Sequence, residues 1–159
     1  MNRKLIWLVA GVLATGLIAA GCGDDDDDES SDTGTDTVAL TQQEWVTQAD
    51  AICTQGNQEL DQAAQQEFGG SNQPPSQAQQ QKFAEETVIP SIEQQINDVR
   101  ALGTPEGDSG EVEEFLDQAQ TDLDKAKQDP KQLTDAGNEN PFAETTKLGD
   151  ALGLKVCSQ

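Results

Sequence analysis

From Leu40 to Leu154, large apolar residues return at steps of three and four and nowhere alternate with polar ones over a strand's length. That period fits helices and no other regular element. Runs of β-branched residues are absent, as is an Asn-Gly type hairpin signal, and Gln is abundant. The expected fold is therefore all-α, a small bundle of about four helices. Thr41-Gln42-Gln43-Glu44 is a capping box, with Leu40 and Trp45 placed as a hydrophobic staple around it. The first helix then shows an apolar face through Ala49, Ile52, Cys53, Gly56, Leu60, Ala64 and Phe68, and Gly69-Gly70 ends it.

A second helix should start near Ser76, with Gln79 in the box position, and carry Phe83, Ile89, Ile92, Ile96, Val99 and Leu102 inward. Pro90 interrupts that stripe. It has no amide hydrogen and clashes with the preceding turn, so a kink is expected near residues 87–89. Gly103-Thr104-Pro105 closes the helix. The third should run from about Ser109 to Gln128 on Val112, Phe115, Leu116, Ala119, Leu123 and Ala126. Asp129-Pro130 can open a short turn through Ala136, stopped by Gly137. Asn140-Pro141 reads as cap and first residue of a fourth helix, with Phe142, Thr145, Leu148 and Leu152 inward. Gly153 and Leu154 suit a Schellman ending.

Ahead of this bundle lies a segment of another kind. Arg3 and Lys4 precede an uncharged, mostly apolar run from Leu5 to Ala20. As a helix that run would span roughly 24 Å, short of the ~30 Å hydrocarbon core, which suits a signal-peptide h-region better than a transmembrane helix. It ends in Ala19-Ala20-Gly21-Cys22, which resembles the lipobox of bacterial lipoproteins. The resemblance implies cleavage of a signal peptide at 1–21. It also implies a diacylglyceryl group on the Cys22 thiol and an acylated amino terminus, palmitate being the usual kind of chain. Two or three acyl chains hold a protein on a membrane stably, where one does not. Residues 22–37 would then be the lipidated Cys and an acidic tether. The stretch GDDDDDESSDTGTDT has eight acidic residues and no large apolar one. Such a composition favours disorder and extension. Its Asp residues lack the alternation, Gly and terminal Glu of an EF-hand loop, so no metal site is expected there. Residues 38–159 would form the bundle domain.

The chain has three cysteines. With Cys22 lipidated, Cys53 and Cys157 remain. Cys53 lies on the apolar face of the first helix and Cys157 just past the last, so docking the final segment on the first helix would bring them together. In an oxidising compartment a structural disulfide is then the expectation. Closing a loop of ~100 residues could contribute roughly 4–5 kcal/mol. A redox pair and two free thiols are the alternatives; redox pairs are usually close in sequence, and these are far apart. The lipobox, the acidic tether, the stretch Trp45-Val46-Thr47-Gln48-Ala49-Asp50-Ala51-Ile52-Cys53 and the ending Leu152-Gly153-Leu154-Lys155-Val156-Cys157 together resemble small helical lipoproteins and secreted proteins of actinobacteria. That resemblance implies localisation and fold. It carries no catalytic residue.

Charge and composition narrow the chemistry. There are 30 acidic and 9 basic residues, a net charge of −21, and no His. Nucleic acid needs a basic face, so it is not an expected partner. Without His there is no Ser-His or Cys-His nucleophile pair, no His-ligated zinc and no Glu-x-x-His di-iron bundle. Carboxylates remain: Glu85-Glu86, Glu111, Glu113-Glu114 and Asp122-Asp124 are clustered, and all read as polar, solvated helix faces. Thr41 and Ser76 read as caps. Trp45 reads as core rather than as a platform for a sugar or peptide. The expectation is a membrane-anchored extracytoplasmic lipoprotein of the cell envelope. It would display a small acidic helical module for non-enzymatic contact with a protein or cell-wall partner, with no cofactor and no metal. A carboxylate-dependent hydrolase with a cleft not visible in sequence is the alternative.

Overall fold

A computed structural model describes residues 39–70, 73–108, 110–135 and 140–159. The expected signal peptide, Cys22 and the expected tether lie outside the described residues, as do the expected stop at Ala136-Gly137 and the expected start at Ser109. The described residues fall in one compact unit, Thr37–Gln159. They form helices α1 (Gln42–Phe68), α2 (Gln77–Phe83), α3 (Ile89–Arg100), α4 (Glu111–Gln128) and α5 (Ala143–Leu152), with no strand among them. A π-turn, Ala84–Val88, joins α2 to α3 without a break, so there are four helical rods. A 3₁₀ turn, Pro130–Leu133, follows α4.

Both capping boxes form. The Glu44 amide donates to the Thr41 hydroxyl at 3.3 Å, and the Thr41 amide donates to the Glu44 carboxylate at 3.0 Å. The Ser76 amide donates in the same way to the side chain of Gln79 at 2.9 Å. The kink expected at Pro90 takes the form of the π-turn. Pro90 cannot donate to the carbonyl four residues back, and its ring would strike that carbonyl. Widening the turn relieves both problems: the Ile89 amide reaches back five residues to Ala84. α4 begins at Glu111, where the Asp108 carboxylate accepts the amides of Gly110 at 3.1 Å and Val112 at 3.3 Å. One helix start, that of α5, differs from expectation: it lies at Ala143 rather than at Pro141. Asn140 does not cap it: its Oδ1 accepts the Phe142 amide at 3.0 Å within a turn ahead of the helix, and α5 starts without a side-chain cap. The end of α5 is a Schellman motif. Gly153 sits at φ 92°, its amide donates to Asp150, and the Leu154 amide donates to Gly149 at 3.0 Å.

The core is one cluster drawn from α1, α3, α4, α5 and the C-terminal segment. Trp45, Val99, Val112, Phe115, Leu123 and Leu154 are its most enclosed large members. Trp45 has no exposed surface, and its Nε1 donates to the Gly103 carbonyl at 3.0 Å. The indole thus closes the end of α3 onto the start of α1. With no free face, it cannot act as a stacking platform. Gly56 lets α1 and α3 approach: a Cβ there would lie 2.3 Å from the side chain of Gln95. Beyond Gly56 the face of α1 thins out. Leu60, Ala64 and Phe68 are half-buried, and Phe68 meets Phe83 edge-on with ring centres 5.1 Å apart.

Candidate functional site

Three features converge where the chain ends against α1. Cys53 and Cys157 form a disulfide, with Cα atoms 5.3 Å apart. One turn earlier on α1, the Asp50 carboxylate accepts three successive amides of the final segment: Lys155 at 2.9 Å, Val156 at 2.9 Å and Cys157 at 3.2 Å. Those amides follow the Schellman ending, where the chain has left the helix and no carbonyl partner remains. A carboxylate supplies the acceptors, and charge-assisted bonds of this kind are the stronger class. The Ala-Asp-Ala-Ile-Cys stretch of α1 is therefore a docking strip for the C-terminus, Asp50 and Cys53 both facing it. Leu154, fully buried, and Ser158, nearly so, anchor the same segment.

Asp122 corrects the sequence expectation for the acidic clusters. Asp124 is exposed on the polar face of α4, but Asp122 is buried, with 2% of its surface accessible. Its Oδ1 accepts from Gln118 Nε2 at 2.9 Å and from Lys125 Nζ at 2.8 Å; its Oδ2 accepts from the Thr145 hydroxyl at 2.9 Å. Every polar atom it buries is thereby matched, as burial requires. The bond to Thr145 ties α4 to α5. Glu85, Glu86, Glu111, Glu113 and Glu114 are exposed as expected. Among the described residues no group of three or more potential ligands could hold a metal ion, and no helix is long and apolar enough to cross a membrane.

Beside the disulfide lies a half-open cavity of about 190 Å³. α3 contributes Ile92, Ile96 and Val99, and α4 contributes Phe115, Leu116 and Ala119. The half-cystines and Gln159 form one wall; Thr145 and Thr146 of α5, with Asn140 and Phe142 ahead of it, form another. No Asp, Glu, Lys or Arg lines it. The apolar face of each helix was legible in sequence. The gap left between them was not, because it depends on how closely α5 and the C-terminus seat. Away from the cavity, the Thr41 hydroxyl and amide hold the Glu44 carboxyl below the usual glutamate range.

No family model, no curated protein and no solved structure matches this chain.

Proposed function

We propose that this chain is a lipid-anchored lipoprotein on the extracytoplasmic face of the cell membrane. Its acidic helical domain makes a non-enzymatic contact with an envelope protein or a cell-wall partner. The observation that carries the reading is the Cys53–Cys157 disulfide. A disulfide belongs to an oxidising compartment, which agrees with the apolar run at the amino terminus. It also accounts for two of the three cysteines and leaves Cys22, at the lipobox-like junction, for acylation.

The character of the domain supports contact rather than catalysis. From Val38 onward there are 22 acidic and 7 basic residues. Five ion pairs occur among the described residues, so most carboxylates are left to solvent or to a cationic partner. The hydrolase alternative needs two carboxylates converging on one cleft. The apolar cavity has none on its walls, and Asp122 is occupied by three partners, so no specific observation favours that reading.

Affinity-tagged full-length chain, cross-linked in intact cells and recovered from solubilised envelope, tests the proposal. A discrete cross-linked partner from the envelope is the expected result. Recovery of the chain in the cytosolic fraction, or cross-linking no different from that of an unrelated acidic lipoprotein, would contradict it.

A further inference from the structure

We propose that the cavity beside the Cys53–Cys157 disulfide is a binding site for a small uncharged molecule carrying an alkyl chain, of about the bulk of a six-carbon alcohol. The domain carries a large excess of carboxylates, yet no charged side chain lines this cavity. A charged ligand would lose its hydration there and meet no charged side chain, which is costly. The lining selects a neutral one.

Size follows from volume. An apolar protein cavity of about 150 Å³ stays dry and takes up benzene. At about 190 Å³ this one accommodates a group slightly larger. It falls short of the ~300 Å³ at which drug-sized ligands begin. The apolar wall is made of Ile92, Ile96, Val99, Phe115 and Leu116, all aliphatic or aromatic. Its polar groups are amides and hydroxyls. Asn140 is exposed and so stands at the open side. Its Oδ1 is taken by the Phe142 amide, while its Nδ2 has no protein partner among the described residues. That donor suits a hydroxyl or carbonyl oxygen at the ligand's polar end.

Two of the walls are tied down before any ligand arrives. The disulfide and the Asp50 carboxylate hold the C-terminal wall against α1. The Asp122–Thr145 bond holds the α5 wall against α4. A site already formed loses little to ordering when it is filled, so even a small ligand can bind measurably.

Methyl resonances of Ile92, Ile96, Val99 and Leu116 give a local readout in the full chain held in lipid nanodiscs. The probes are 1-hexanol, hexanoate and hexylammonium at equal free concentration. The expected result is a saturable shift with 1-hexanol at millimolar concentration and at least ~10-fold weaker response to either ion. Ala119→Leu should fill the cavity and remove the response. Thr146→Leu, at the half-exposed rim, is a second filling variant for the case that Ala119→Leu does not fold, which Trp45 fluorescence would reveal. No shift with 1-hexanol, an equal response to the ions, or a response that survives in a folded filled variant would overturn the proposal. The readout is binding to purified chain, so its failure leaves the membrane localisation and the envelope partner untouched.

Discussion

The Asp50 carboxylate accepts the Val156 amide at 2.9 Å, joining the middle of α1 to the last residues of the chain. The same carboxylate takes the amides of Lys155 and Cys157, and Cys157 is bonded to Cys53 one turn further along α1. One covalent and one electrostatic link thus act on the same short segment. Asp50→Ala removes the second link and leaves three amides without their acceptor. A cost of about 2 kcal/mol is expected, in the range for hydrogen bonds to a charged group. Asp50→Asn should cost less, because an amide oxygen still accepts. Denaturant melts that place Asp50→Ala within error of the parent would show that water serves those amides equally well.

Removing the disulfide by Cys53→Ser with Cys157→Ser should cost up to ~4–5 kcal/mol, the chain-entropy value for a loop this long. The two links share a segment, so their effects should not add. Once the disulfide is gone, Asp50→Ala should cost more than it does in the oxidised chain, because only the packing of Leu154 and Ser158 then holds the segment. Equal costs in both backgrounds would show that the two links act independently.

The Asp122–Thr145 bond at 2.9 Å gives a prediction about the join between α4 and α5. Thr145→Val keeps the shape and deletes the donor, and should destabilise by about 1.5–3 kcal/mol because the acceptor is a buried carboxylate. Asp122→Leu combined with Thr145→Val should cost less than the two single changes added together. Replacing both partners by apolar groups removes the unmatched atom that each single change leaves. Additive costs in thermal melts would deny the coupling.

Glu44 sets an acid limb with a definite sign. Its folded-state carboxyl titrates lower than in the unfolded chain, because the Thr41 hydroxyl and amide donate to the charged form. Stability from such a group is present above the unfolded value, near ~4.3, and is lost as pH falls through the folded one. The difference in melting temperature between the parent and Glu44→Ala should therefore hold steady from pH 8 to pH 5 and shrink on going to pH 3. A difference that grows with acid would reverse the assignment.

Much of this fold was legible because its signals are local. Thr41 with Glu44, and Ser76 with Gln79, cap within three residues of themselves. Pro90 marks its own disturbance through a missing hydrogen, and Gly153 marks a left-handed exit from α5. The Cys53–Cys157 pairing follows from the final segment docking on the apolar face of α1. What stayed hidden depends on partners distant in sequence. The amides that bind Asp50 lie more than 100 positions away and have no side-chain signature. Asp122 reads as polar by residue type, although its place seven residues after Phe115 and three after Ala119 puts it on the buried face of α4. That register is the signal, and the exposed Asp124 two residues on obscures it. The cavity had no signal at all, since no residue encodes a gap between side chains.

In the proposed function the chain leaves the cytoplasm and is held on the membrane through Cys22. Mass spectrometry of the amino terminus of the mature protein, isolated from its native envelope, tests it most directly. The expected product is a chain that begins at Cys22 and carries a diacylglyceryl adduct on that residue, with Cys53 and Cys157 joined. A chain that begins at Met1, or one cut elsewhere with an unmodified Cys22, would contradict it.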